Sequence, residues 1–170
     1  GCSISATVSV SDNKETVNVS INGVGQLTCA NNSLVLTAAG TPAGMTYAWS
    51  NGGTTSTKTV NTAGGYTVTA TYGVCTATRS VSVTQNSAVP AITAGKTSNM
   101  SCNVRTVTLT VTSGTAGLTY NWSNNLGTNS AVSASMARTY TVSATNPANG
   151  CSTSATVSVS DNKETVNVSI

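Results

Sequence analysis

The segment Gly150-Cys-Ser-Thr-Ser-Ala-Thr-Val-Ser-Val-Ser-Asp-Asn-Lys-Glu-Thr-Val-Asn-Val-Ser-Ile170 repeats residues 1–21 with a single change, Ile4 to Thr153. Near-identity over such a length marks a tandem copy rather than convergence on a shared fold. The period, from Gly1 to Gly150, is 149 residues, and an internal period decides architecture before any local pattern is read. The chain therefore reads as one period of a longer array plus the start of the next, its ends expected to be cuts within that array.

A weaker repeat lies inside the period. Cys29 precedes Trp49 by 20 residues, and Cys102 precedes Trp122 by the same 20. Each Trp closes a matching stretch, Met45-Thr-Tyr-Ala-Trp49-Ser-Asn and Leu118-Thr-Tyr-Asn-Trp122-Ser-Asn. Met45, Tyr47 and Trp49 recur at period two, as do Leu118, Tyr120 and Trp122, so each trio shares one face of a strand. A second pair of stretches, Tyr66-Thr-Val-Thr-Ala-Thr-Tyr72 and Tyr140-Thr-Val-Ser-Ala-Thr145, alternates in the same way. Tyr66, Val68 and Ala70 turn inward there, and Thr67, Thr69 and Thr71 outward. The expected core thus includes Tyr47, Trp49, Tyr66, Tyr120, Trp122 and Tyr140.

Short alternating strands separated by turn residues every 8 to 12 positions describe a β-sandwich. The expected fold class is all-β, with tandem immunoglobulin-like β-sandwich domains in an end-to-end array. Boundaries follow from the repeat: residues 1–11 as the last strand of a preceding repeat, 12–84 and 85–160 as two domains, and 161–170 as the first strand of a following repeat. The connections Ser11-Asp-Asn-Lys-Glu15 and Gln85-Asn-Ser-Ala-Val-Pro90 are short and not Gly/Ser-rich, which predicts neighbours held closely.

Composition narrows function by exclusion. Charged residues make up 6% of the chain, His is absent, and the formal net charge is +3. The four carboxylates, Asp12, Glu15, Asp161 and Glu164, all lie in the two Asp-Asn-Lys-Glu copies. Glycosidase chemistry wants two acids flanking a bond, and hydrolytic triads want a base that is usually His. Carboxylate-rich Ca²⁺ sites need several acidic oxygens. The expectation is no enzyme activity, no cofactor and no metal. The basic residues (Lys14, Lys58, Arg79, Lys96, Arg105, Arg138, Lys163) stand singly, whereas nucleic-acid binding favours a clustered stripe; they read as isolated solubilising charges. No stretch of about 18 apolar residues suggests a membrane span. Arg79 takes the inward slot that Ala6 and Ala155 fill in sister strands, so its stem is expected on the sandwich rim.

Five cysteines in a low-charge β chain point to an oxidising, exported setting. Two connectivities are open. Pairing within domains would join Cys29 to Cys75 and Cys102 to Cys151. The strand order places Cys29 and Cys75 at opposite poles, roughly 20 Å apart along a six- or seven-residue strand, while a disulfide needs Cα atoms about 4.4–6.8 Å apart. That favours a head-to-tail staple, Cys29–Cys151, with Cys2, Cys75 and Cys102 seeking partners elsewhere.

Trp49-Ser-Asn-Gly52, Gly65-Tyr-Thr-Val-Thr-Ala and Asn149-Gly-Cys151-Ser-Thr-Ser-Ala-Thr-Val resemble the immunoglobulin/PKD-like repeats of giant Bacteroidetes cell-surface adhesins, the SprB-type gliding-motility adhesins among them. The resemblance spans essentially the whole chain at about 75 residues per repeat. Tyr72-Gly-Val-Cys75 departs from it by shortening the turn before the cysteine. The resemblance implies secretion, display on the outer cell surface, and a mechanical or adhesive role with neighbouring repeats of the same polypeptide as partners. A different class of function is a carbohydrate- or surface-binding module, in which outward rows such as Thr67, Thr69 and Thr71 contact polysaccharide, a substratum or ice.

Overall fold

A computed structural model of the chain describes residues 1–9 and 15–162. It divides into two compact units: Gly1–Leu27 with Ser33–Gln85, and Thr28–Asn32 with Asn86–Ile170. The five residues Thr28–Asn32 thus belong with the second unit although their flanks build the first.

The first unit carries β1 (Asn18–Asn22), β2 (Gln26–Thr28), β3 (Leu34–Thr41), β4 (Thr46–Trp49), β5 (Thr57–Val60), β6 (Gly64–Tyr72) and β7 (Cys75–Asn86). They form two sheets, ordered β1-β3-β5 and β2-β7-β6-β4. Val19 and Ile21 of β1 and Leu34, Leu36 and Ala38 of β3 fall at period two and face the core, while their neighbours face out. Across from them Trp49, Tyr66, Val68 and Val83 complete one apolar cluster. Two sheets closing on a common core make this a β-sandwich.

The second unit repeats the plan with β8 (Ile92–Lys96), β9 (Met100–Ser101), β10 (Val107–Ser113), β11 (Thr119–Trp122), β12 (Ala131–Ala134), β13 (Thr139–Thr145), β14 (Ser152–Ser158) and β15 (Asp161–Asn162). The sheets are β12-β10-β8 and β11-β13-β14, with β9 paired to β15 in parallel. Val107, Leu109 and Val111 of β10 meet Trp122, Tyr140 and Val142 in its core.

Two side-chain hydrogen bonds recur at matching places and give each unit its immunoglobulin-like character. The Trp49 Nε1–H donates to the Thr55 carbonyl at 2.9 Å, and Trp122 Nε1–H to the Asn129 carbonyl at 3.0 Å. Each indole is therefore buried with its polar atom satisfied. At the start of β6 and β13, the Tyr66 and Tyr140 hydroxyls each donate to the carbonyl four residues upstream, Thr62 and Met136, at 2.8 Å. This is the tyrosine corner of immunoglobulin sandwiches. Two residues on, where antibody domains place the second cysteine of their inter-sheet disulfide, Val68 and Val142 are fully buried. The cores are held by packing, and their cysteines lie elsewhere.

Of the expected core residues, Trp49, Tyr66, Trp122 and Tyr140 are buried, whereas Tyr47 and Tyr120 are half-buried and pack against the clusters from the edge. Arg79 is exposed and registers with the inward-facing Val68.

The two copies of the repeated segment take different conformations. Residues 1–9 form no strand and are exposed throughout, although their near-copy in residues 150–158 builds β14. A strand needs a partner, and β14 has one in β13 over seven registered pairs. At the other end, Asp161 and Asn162 pair with Met100 and Ser101 of the second unit. The expected linker at Ser11–Glu15 and the remainder of 161–170 fall largely outside the described residues.

Candidate functional site

The chemistry-bearing side chains concentrate at the turns that carry cysteine. Cys29 follows β2, in a turn closed by Thr28: its N–H donates to the Asn31 carbonyl at 2.8 Å, and its Oγ1 accepts the Asn31 N–H at 3.0 Å. Such a hydroxyl-capped turn is a local alternative to ladder hydrogen bonding. Cys151 precedes β14 at the end of turn 146–150, in which Asn146 N–H donates to the Cys151 carbonyl at 2.9 Å and Asn146 carbonyl accepts the Gly150 N–H at 2.8 Å. Cys29 and Cys151 are joined by a disulfide, with Cα atoms 5.0 Å apart and a sequence separation of 122.

Within-domain pairing of Cys29 with Cys75 and of Cys102 with Cys151 is not formed; Cys75 and Cys102 are free thiols, as is Cys2. Strand geometry gives the reason. β2 runs beside the far end of β7, where Gln26 Nε2–H donates to Thr84 Oγ1. Cys75 begins β7, nine residues before Thr84, or about 30 Å along a strand at ~3.3 Å per residue. In the second unit β9, just before Cys102, pairs with Asp161. Cys151 lies ten residues before Asp161, a span of similar length, about 30 Å, for an extended chain.

Asn149 organises the bonded turn. It is 2% exposed. Its Nδ2–H group donates to Asn86 Oδ1 at 3.1 Å and to the Ala88 carbonyl at 3.0 Å. Its Oδ1 accepts the Cys151 N–H at 3.0 Å, and its carbonyl accepts the Ala30 N–H at 3.2 Å. One buried amide thereby ties the Cys151 turn, the start of the second unit and the Cys29 turn together. Gly150 next to it adopts φ +71°, and a Cβ there would lie 2.6 Å from the Ala30 Cβ. Only glycine permits both the backbone conformation and the close approach. Sequence reasoning missed the role of Asn149. The available signal was the contrast between copies, Asn149-Gly-Cys151 against Gly73-Val-Cys75.

Three of the basic side chains that read as solubilising charges, Lys58, Lys96 and Arg138, have structural partners. Lys58 Nζ donates to the carbonyls of Asn51 and Gly52 at 3.2 and 2.7 Å, fastening the loop after Trp49. Lys96 Nζ reaches Asn99 Oδ1 and the Ser158 carbonyl, and Arg138 donates to Asn124 Oδ1 at 3.0 Å. In a chain with so few acids, carbonyl and amide oxygens serve as the counterparts of cations. The outward hydroxyls pair across strands, Thr67 with Ser80 and Thr139 with Ser158, each at 2.8 Å.

Among the described residues, no group of three or more His, Cys, Asp or Glu could hold a metal ion, and no helix is long and apolar enough to cross a membrane. The surface offers shallow grooves beside the free thiols. One is lined by Glu15, Thr16, Val17, Val74, Cys75 and Thr76; another by Met100, Ser101, Cys102, Val104, Arg105 and Asp161 together with Ser135. Chemically the arrangement holds one cystine, Cys29–Cys151, and leaves Cys75 and Cys102 as free thiols at equivalent turns.

No protein-family model matches the chain, and no curated protein matches it. Among solved structures, murine CEACAM1b is similar at 14% identity and a TM-score of 0.37, over 85% of this chain and 100% of that one. Titin domains Z1Z2, in a complex with telethonin, are similar at 14% identity and a TM-score of 0.36, over 89% and 100%. The three N-terminal domains of the bacteriophage RB49 outer capsid protein Hoc are similar at 18% identity and a TM-score of 0.36, over 86% of this chain and 59% of that one. With identities this low, the strand order, the paired indoles and the tyrosine corners are the basis of the immunoglobulin-like assignment.

Proposed function

We propose that the chain is a load-bearing stalk segment of a long, repetitive extracellular adhesin or filament, transmitting force at a cell surface during adhesion or gliding. The observation that carries this reading is the Cys29–Cys151 disulfide. Among the described strands, β1, β2, β14 and β15 lie outside the covalent loop it closes, and β3 through β13 lie within. Tension entering before Cys29 and leaving after Cys151 loads the strands outside the loop but crosses from Cys29 to Cys151 through sulfur, so the strands within the loop are not drawn out. A covalent bypass of this kind is what a strand under repeated load requires, and a passive spacer gains little from it. Disulfides persist in oxidising settings, which supports an extracellular location, and the near-identical recurrence of residues 1–21 at 150–170 supports membership of a longer array of the same units.

The alternative is a carbohydrate- or surface-binding sandwich. Within the outward row, Thr67 is already hydrogen-bonded to Ser80 in the same sheet, which leaves that hydroxyl less free for a polysaccharide and favours the stalk. Presenting the 170-residue chain to a glycan array and to immobilised polysaccharide distinguishes the two. The stalk reading expects no saturable binding. Saturation with a Kd of about 1 μM, some −8 kcal/mol, abolished by Thr67→Ala or Thr69→Ala, moves the function to the binding module.

A further inference from the structure

Cys75 and Cys102 occupy, copy for copy, the positions of the two cysteines that are bonded. Cys102 stands 20 residues before Trp122, as Cys29 stands before Trp49, and Cys75 opens the strand after β6 as Cys151 precedes the strand after β13. We infer that Cys75 and Cys102 are the two halves of a second staple of the same kind, formed between copies of this chain: turn 101–104 of one copy docks at the Cys75 turn of another, and the two sulfurs bond.

The early-cysteine turn is already built for this. Ser101 does at Cys102 what Thr28 does at Cys29. Its N–H donates to the Val104 carbonyl at 3.0 Å, and its Oγ accepts the N–H groups of Val104 and Asn103 at 3.2 and 3.3 Å. Cys102 is exposed, with Asn103 in the place of Ala30, the residue that meets Gly150 across the existing bond. The receiving side is also prepared, though differently. Tyr72 and Cys75 are a registered pair closed by Gly73-Val74, and Gly73 at φ +57° suits a two-residue hairpin turn. Val74 at the tip is 99% exposed, where the bonded turn has Asn149 and Gly150. It sets an apolar side chain beside the free thiol, bordering the groove of Glu15, Thr16 and Val17. The docking exchanges the hydrogen bonds of Asn149 for apolar contact by Val74.

The bond forms by thiol–disulfide exchange with a low-molecular-weight disulfide such as glutathione disulfide. The Cys75 thiolate attacks one glutathione sulfur and expels glutathione thiolate, leaving a mixed disulfide. The Cys102 thiolate of the second copy attacks the Cys75 sulfur and expels the second glutathione. Two protein thiols are oxidised, one glutathione disulfide is reduced to two glutathiones, and the two protons pass from the cysteines to the departing thiolates. The inference rests on the internal repeat and the bonded pair, and stands whether or not the array serves a cell surface.

The test uses the 170-residue chain with Cys2→Ser to silence the remaining exposed thiol. One preparation carries Cys75→Ala in addition, a second carries Cys102→Ala, and peptide mapping verifies that both retain Cys29–Cys151. The two are mixed in equal amounts in a glutathione redox buffer and separated without reductant. The expected product is the heterodimer, joined Cys102 to Cys75, exceeding either homodimer by about tenfold or more, as docking raises the effective concentration of the correct pair. The variant retaining both thiols extends into a ladder of higher multimers under the same conditions. A statistical mixture of heterodimer and homodimers, or no crosslink at all while Cys29–Cys151 stays intact, overturns the inference.

Discussion

Pulling the chain from its two ends should release very different lengths with and without the Cys29–Cys151 bond. The bond spans a sequence separation of 122 and holds its Cα atoms 5.0 Å apart. An unfolded chain extends to about 3.3–3.6 Å per residue. Reduction therefore adds roughly 400–430 Å of contour length to the fully stretched molecule. While oxidised, the molecule can yield only the segments outside the loop, by stripping β1 from β3 and β14 from β13. Optical tweezers with handles on both termini measure this directly, comparing repeated stretches before and after adding a phosphine reductant. The expected oxidised trace is short, without the long extension steps of two unfolding sandwiches. The same molecule in reductant shows those steps, lengthened by the stated amount, and Cys29→Ser shows them without reductant. Equal total extension in both conditions would mean that the load does not run through sulfur, and would remove the basis for a force-bearing role.

Further outcomes follow from individual contacts. Cys29→Ser should lower unfolding free energy by up to about 5 kcal/mol in the chain-entropy description of a loop this long, read as a fall in the urea midpoint. Asn149→Ala strips the Cys151 N–H, Asn86 Oδ1 and the Ala88 carbonyl of a buried partner; a cost of about 1–3 kcal/mol is expected, and no change in the midpoint would show that water replaces the amide. Tyr140→Phe and Tyr66→Phe each delete one corner hydrogen bond while keeping the ring. Each should cost about 1 kcal/mol, and in denaturant melts only the unit carrying the substitution should be destabilised.

The parts of this fold visible in the sequence are those whose signal is local and duplicated. Trp49 and Trp122, and Tyr66 and Tyr140, announce themselves twice within matching alternation, and both pairs are buried at equivalent places. Tyr47 and Tyr120 carry the same alternation yet end half-buried, because period two fixes the face of a side chain and not how far the opposing sheet extends over it. Asn149 was illegible for a different reason. Its partners Asn86 and Ala88 are about sixty residues away in sequence, and an Asn before Gly looks like any turn former. Lys58, Lys96 and Arg138 likewise gave no hint of carbonyl partners, since a backbone oxygen leaves no mark in the residue pattern.

The cysteines combine both situations. Their spacing was legible, but their partners depended on which pole each strand end reaches, a property of strand length and direction. Residues 1–9 show how far such context goes: Cys-Ser-Ile-Ser-Ala-Thr-Val-Ser forms no strand there, with Ile4 98% exposed, while the near-copy at 151–158 is paired along β13 and its cysteine is buried in a bond. Strand propensity is the same in both; only the partner differs. The same dependence applies to sulfur. Val68 and Val142 fill the inter-sheet positions with hydrocarbon, which leaves every cysteine outside the apolar cores and available to whichever turn is brought alongside it. With no cysteine in the inter-sheet positions, cysteines remain for linkage between turns, and the bonded Cys29–Cys151 pair, set beside the free Cys75 and Cys102, is the pattern such a division of labour produces.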